Sequence, residues 1–271
     1  MKIPTIDDFE EVAITAGRIT RTHYEAEDGV TEWKEDGSPV TSADKAVHDY
    51  AVAYFQGRFP EIPIIGEEGC IGECDDPDRP KIRMDEMDGT GAFLLRVPVF
   101  APMFALETRY EPVISSIGDP FSGKPFLAEK GKGAYRGGKK LSVQKAPPHR
   151  KAVAISSWPD RDKNPNLVEN MYLGPGGIGK YLQDQGIRVY QAGAIGYFDA
   201  RVASGEFCGS IFPGGLHHDT IAGDLLVREA GGITSDLAGK PLDYSKKNVF
   251  GHVFGAPGVH STLLSVLNRR T

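Results

Sequence analysis

The chain has 271 residues, 40% hydrophobic and 25% charged, the usage of a globular fold with apolar material for one large core or two closely joined lobes. Its 31 basic and 37 acidic residues leave a net charge of −6, which argues against nucleic-acid polymers as partners but not against a small anionic substrate held through bound cations. No apolar run approaches the ~18 residues of a membrane span, no basic-then-apolar leader opens the chain, and Cys70, Cys74 and Cys208, lacking Cys-x-x-Cys spacing, read as reduced thiols of a cytoplasmic protein.

Thr5 to about Tyr24 predicts an amphipathic helix, capped by Thr5, with Asp7 and Asp8 in its first turn and Ile6, Phe9, Ala13, Ala16 and Ile19 at helical spacing. Glu25 to Glu35 is polar and reads as a loop or irregular extended piece. In Asp36-Gly-Ser-Pro-Val-Thr-Ser-Ala-Asp44, Pro39 forces an extended approach, and Thr41 or Ser42 caps a helix running to about Phe55. Asp44 then lies in the first turn, where an acid ordinarily complements the helix dipole but also reaches a shared site. Ile62 to Ile65 is a short strand that ends in Gly66-Glu67-Glu68-Gly69, and Cys70 to Arg79 reads as a polar loop. Pro80 to Arg83 reads as the end of a strand. Phe100 to Thr108 and Pro112 to Ile117 are extended, Asp119-Pro120 and Ser122-Gly123 mark a turn, and Pro125 to Lys140 reads as a hairpin with glycine turns rather than a phosphate cradle.

Ala146-Pro-Pro-His149 is the expected boundary between an N-terminal α+β lobe, 1–146, and a C-terminal α/β lobe, 147–271, which together make one catalytic unit. Ala152 to Ser156 predicts a strand, followed by helical material through Leu182, a strand near Ile187 to Tyr190, a small-residue helix from about Gly193 to Ala203 and a strand from Glu206 to Phe212. Asp219 opens a helix that ends at Gly231-Gly232 and keeps Ala222 and Gly223 small for close packing. Val249 to Phe254 is a last strand and Pro257 to Arg269 a last helix.

The chemistry concentrates in Met84-Asp-Glu-Met-Asp-Gly-Thr-Gly-Ala-Phe93. Asp85, Glu86 and Asp88 repel one another unless a cation or protons intervene, and hard divalent cations seek such oxygen ligands. Gly89 admits a ligand to the backbone, and Thr90 offers a hydroxyl and, at a helix start, a free N–H for a phosphate oxygen. A solvated acidic turn is the bland alternative, so partners elsewhere decide.

Four separated pieces supply them: Asp44 after Ser-Pro-Val-Thr, Gly66-Glu67-Glu68, Asp85-x-x-Asp88-Gly-Thr90, and Asp219 followed by x-x-Ala-Gly and Glu-Ala-Gly-Gly. In this order they resemble the inositol monophosphatase superfamily of metal-dependent phosphatases, as do Glu111-Pro-Val, Asp119-Pro and Ala128-Glu-Lys-Gly-Lys-Gly-Ala-Tyr. The resemblance runs from roughly Asp36 to Gly239. It implies an αβαβα layered sandwich of α+β or α/β class, a homodimer, lithium sensitivity and two or three Mg²⁺ per site. Position by position, it implies that Glu67 binds the first metal, Asp85 bridges two metals and the Met87 carbonyl completes the first site. Asp88 and Asp219 would hold the second metal, Thr90 with Asp44 would orient the attacking water, and the Gly89 and Thr90 N–H groups would hold the phosphate. The implied reaction is Mg²⁺-dependent hydrolysis of a small phosphomonoester, an inositol monophosphate-like polyol or sugar phosphate or histidinol phosphate.

Departures from the family pattern bear on specificity. Glu86 stands where the family usually has Pro; the extra carboxylate is expected to point to solvent, the alternative being that it adjusts metal binding. His218 replaces a usual Trp, and with His217 it raises a transition-metal alternative against a ring packed at the helix start or touching substrate. Phe212 stands where inositol- and histidinol-phosphate enzymes usually carry Glu, closer to the branch that removes the 3′-phosphate of phosphoadenosine nucleotides. Phe212 and His218 are thus expected at the substrate, with Gly193 and Ala194, which occupy the family's Gly-Ser-Ala stretch, near the leaving group. A 3′(2′),5′-bisphosphate nucleotidase is one alternative function; a non-catalytic regulatory or binding protein that keeps the fold is another.

Overall fold

The computed structural model describes residues 1–34, 38–67, 69–74, 76–143, 152–156, 177–246 and 251–268. Helix α1 (Ile6–Glu25) starts where Thr5 donates both its N–H and its hydroxyl to Asp8 Oδ2, at 2.9 and 2.8 Å. Helix α2 (Ser42–Arg58) starts after β1 (Val30–Trp33) and β2 (Pro39–Thr41), an antiparallel pair where a loop or irregular extended piece and then an extended approach were expected. The two helices bury Phe9, Val12, Val47 and Phe55 against Ile64, Ile82, Met84 and Phe104 of the first sheet. Each such aromatic removed from water contributes roughly 1.5–3 kcal/mol.

That sheet is built from β3 (Ile64–Gly66), β4 (Gly69–Ile71), β5 (Lys81–Asp88), β6 (Ala101–Thr108), β7 (Glu111–Ile117), β8 (Phe126–Glu129), β9 (Gly133–Arg136) and β10 (Lys139–Lys140), in the order β10-β9-β8-β7-β6-β5-β3-β4. Its pairs are antiparallel except β3 with β5. A five-stranded sheet follows: β11 (Ala152–Ser156), β12 (Arg188–Ala192), β13 (Gly209–Phe212), β14 (Ile233–Ser235) and β15 (His252–Gly255), ordered β12-β11-β13-β15-β14. Here β12, β11 and β13 run parallel, and β15 and β14 join antiparallel.

Helices α5 (Ile195–Ala203) and α6 (His217–Glu229) fill the space between the sheets, and α4 (Ile178–Asp184) and α7 (Val259–Asn268) cover the far face of the second. The result is the expected αβαβα sandwich. Short helix α3 (Thr90–Leu94) follows β5. The small Gly223 lets α6 approach α5 closely: a Cβ there would lie 2.7 Å from Asp199 Oδ2.

Several expectations are corrected. Strand β5 does not stop at Arg83 but runs through the acidic motif to Asp88, because Ile82 and Met84 bury inward and β6 pairs with it up to Asp85 and again at Asp88. Strand β4 begins the stretch expected as a polar loop, and Cys70 and Cys74, expected as free thiols, are joined as a disulfide, which removes the thiol argument for the cytoplasm. Cys208 is buried and free of any disulfide. The boundary expected at 146–149 and most of the helical material expected before Leu182 lie outside the described residues. Among the described residues no helix is long and apolar enough to cross a membrane.

Candidate metal centre

The site forms where β3 and β5 end against the starts of α2, α3, α5 and α6. Pairing of β5 with β6 is regular up to Asp85↔Met103 and resumes at Asp88↔Ala101, so β5 carries one extra residue there. Such a bulge re-aims side chains at a strand end. Asp85 Oδ1 accepts the Met87 N–H at 3.0 Å. Oxygens of Glu67, Asp85 and Glu86 lie within 4.8 Å of one another. Asp85 and Glu86 are buried, whereas Glu67 is a third exposed and takes Lys34 Nζ at 2.6 Å. Lys34 carried no sequence signal; the β1–β2 hairpin brings it in.

The solvent-facing expectation for Glu86 is overturned. Side chains alternate along a strand, so Ile82, Met84 and Glu86 share the face packed on α2, and Glu86 is 1% exposed. Its Oε1 meets His48 Nδ1 at 2.8 Å, one helical turn beyond Asp44.

Asp44 closes a capping box: its Oδ2 accepts the Thr41 N–H at 2.7 Å and the Thr41 hydroxyl at 2.5 Å. That leaves Oδ1 for Thr90 Oγ1 at 3.3 Å, and the same hydroxyl lies 3.0 Å from the Met87 carbonyl. Asp44, Thr90 and Met87 O, expected together, therefore do meet. Gly89 has φ +89, and a Cβ there would lie 2.6 Å from Val99 O and 2.9 Å from the Ala194 Cβ, so only glycine lets the α3 start and the Gly193-Ala194 turn approach this closely.

Asp88 points across to α5 and accepts the Ile195 and Tyr197 N–H groups at 2.7 and 2.9 Å. Asp219, in the first turn of α6, accepts the Leu216 N–H at 2.5 Å. His218 Nε2 stands 3.3 Å from Asp219 Oδ1, at the helix start. His217 turns the other way and packs on Tyr244; burial pushes its imidazole down to about 4, followed by the influence of Arg83 and His218. Neither histidine joins the oxygen cluster. Phe212, expected at the substrate, is instead 1% exposed, packed with Ala154 and Phe198 and set against His252. Its position on β13 faces the core, so its ring presents no surface to a substrate.

Electrostatics separates these acids from ordinary surface carboxylates. Burial, then the nearby Glu67 and Glu86 charges, raises Asp44 to about 6 against the opposing Thr41 hydrogen bonds. Asp85 is held well above its usual range by burial and by Glu67, Asp219, Asp88 and Glu86. Asp88 is raised by burial despite the Tyr197 and Ile195 N–H groups. A divalent cation reverses these penalties. The clustered donors are all hard oxygens, without sulfur or imidazole, which fits Mg²⁺.

The sequence pattern of the inositol monophosphatase family matches residues 4–268, and the chain belongs to that family of phosphatases. An inositol monophosphatase of Dictyostelium discoideum is 28% identical, over 97% of this chain and 96% of its own. The 3′(2′),5′-bisphosphate nucleotidase CysQ of Aggregatibacter actinomycetemcomitans is also 28% identical, over 90% of this chain and 89% of its own. The Nus factor SuhB of Escherichia coli K12 is 30% identical, over 87% and 86%. Among solved structures, the extragenic suppressor protein suhB of Bartonella henselae has the same fold, with a TM-score of 0.83 at 23% identity over 98% of each chain.

Proposed function

We propose that this member of the inositol monophosphatase family is a Mg²⁺-dependent phosphatase of a small phosphomonoester. The observation that carries the reading is the Thr90 hydroxyl, set between Asp44 Oδ1 and the Met87 carbonyl beside the Glu67–Asp85 oxygen pair. Glu67, Asp85 and the Met87 carbonyl would hold the first metal, and Asp85, Asp88 and Asp219 the second. Bound there, Mg²⁺ supplies an acidified water and charge neutralisation for the transferring phosphoryl group. The chain's own residues do the positioning. Asp44 is locked by Thr41 on one oxygen and offers the other to Thr90, so the hydroxyl keeps its lone pairs in one direction and accepts a proton from the attacking water. As the Thr90 hydroxyl gives its own proton to Asp44 Oδ1, it would take one from the attacking water, so the pair relays the proton to the carboxylate. The Gly89 and Thr90 N–H groups at the start of α3 would receive the phosphate oxygens.

We rank a polyol or sugar phosphate, inositol monophosphate-like or histidinol phosphate, ahead of a 3′-phosphonucleotide, because the buried Phe212 ring offers no stacking face for a base. The likeness to a bisphosphate nucleotidase favours the nucleotide as the second reading. The test is phosphate release with Mg²⁺ from inositol 1-phosphate, histidinol phosphate, 3′-phosphoadenosine 5′-phosphate and fructose 1,6-bisphosphate, each with and without lithium. A lithium-sensitive preference for one of the first two is expected. Hydrolysis of phosphoadenosine phosphate more than tenfold faster than the rest reverses the ranking, and no release from folded, metal-replete protein shifts the reading to a regulatory protein.

A further inference from the structure

The resemblance puts Pro, which has no side-chain ligand atom, at position 86, so a role for the Glu86 carboxylate goes beyond what the resemblance implies. It lies on the buried face of β5, 1% exposed. His48 Nδ1 engages Oε1 at 2.8 Å, and among the described residues Oε2 is buried with no hydrogen-bond partner. A buried carboxylate oxygen without a partner is costly unless a cation or proton meets it. One Glu86 oxygen falls within 4.8 Å of oxygens on both Glu67 and Asp85. Opposite vertices of an oxygen shell at about 2.1–2.6 Å from a divalent cation stand roughly 4.2–5.2 Å apart, so this spacing suits one shared ion. The imidazole on the remaining oxygen is the kind of outer partner that fixes a ligating carboxylate.

We infer that Glu86 is an added ligand of the divalent cation held by Glu67 and Asp85, and that His48 is its positioning residue. The inference rests on the metal-binding reading of the preceding section and extends the site beyond the residues the family pattern supplies. The third carboxylate tightens the cation and adds negative charge to its shell, so this chain holds its first metal more firmly than it would with Pro at the same position.

Mn²⁺ tests this by titration of the metal-free full chain, followed by electron paramagnetic resonance of the free ion. Glu86→Gln keeps the shape and the hydrogen bond to His48 but removes the charge; Glu86→Pro restores the family residue. Both are expected to weaken the tightest Mn²⁺ by about 10-fold or more, and His48→Gln by less. Unchanged affinity and stoichiometry in folded Glu86→Gln and Glu86→Pro overturns the inference while leaving the phosphatase reading intact. Failure of the unmodified chain to bind Mn²⁺ at all overturns both. Crystals of the unmodified chain soaked in Mn²⁺ decide without any variant: an anomalous peak within coordination distance of a Glu86 oxygen supports the role, and a peak confined to Glu67 and Asp85 refutes it.

Discussion

Two buried aspartates of this chain show how differently the surroundings of a buried acid can be built. Asp119, 8% exposed at the turn after β7, is surrounded by donors. Its Oδ1 accepts the Phe121 and Ser122 N–H groups at 3.1 and 3.0 Å; its Oδ2 meets the Arg136 guanidinium and lies 3.6 Å from Arg201. Asp85, 3% exposed at the end of β5, has one N–H donor and a ring of other acids. The first aspartate is complete within the chain and ties β9 to α5. The second has no cationic side chain beside it among the described residues, and positive charge is what its ring of acids calls for. The same burial thus yields a structural pin in one place and a cation site in the other.

Substitution at each aspartate should break this contrast in opposite directions. Asp85→Asn is expected to lower phosphate release by about 100-fold or more while raising the melting temperature of the metal-free protein at pH 7.5, since a repelled charge disappears. Retention of over a tenth of the wild-type rate at saturating Mg²⁺ would count against the assignment. Asp119→Ala removes the carboxylate that Arg136 and Arg201 share, leaving them Glu206 at 3.6 and 3.7 Å, and should cost about 2 kcal/mol in urea unfolding, with little change in rate at temperatures where the variant is folded. A loss under ~0.5 kcal/mol would show that the arginines find other partners, and the pin would lose its meaning.

A pH series sharpens the comparison. Between its ordinary 3.8 and about 6, Asp44 keeps in the folded chain a proton that the unfolded chain has released. Folding therefore binds protons in that window, and the contribution of Asp44 to stability falls as pH rises through it. Asp85 and Asp88 are shifted in the same direction. Melting of metal-free protein should thus decline from pH 4 past pH 6, and saturating Mg²⁺ should flatten the decline. An identical slope with and without Mg²⁺ would separate these acids from the metal. The smallest expected effect is that of Phe212→Leu, a loss of about 1 kcal/mol in stability from imperfect repacking, with KM changed less than about threefold. A tenfold shift in KM would return Phe212 to the substrate.

Much of this was readable before any coordinates. The αβαβα layering came from the family likeness, and so did the grouping of Asp44, Glu67, Asp85 and Thr90, whose spacing along the chain carries no such information; the fold brings these residues near one another. Strand β1 was illegible because Val30–Trp33 is exposed throughout and lacks the apolar alternation that marks a strand. Strand β5 looked finished at Arg83 because acids rarely continue a buried strand. Glu86 was misjudged for the same reason: its face depends on whether the period of two persists past Arg83, and pairing with β6, not local composition, decides that.

The sequence by itself determined the family, the excess of acids and which oxygen-bearing residues recur in its pattern, because ligand type is a property of single side chains. Only the tertiary structure decided which of those acids find a partner: Asp119 has two arginines, Glu67 a lysine from a hairpin, Glu86 an imidazole from α2, and Asp85 no cationic side chain among the described residues. Compensation depends on distances between elements far apart in the chain and on the water excluded between them. Coulomb energy and desolvation are both set by that arrangement, so neither can be read along the chain.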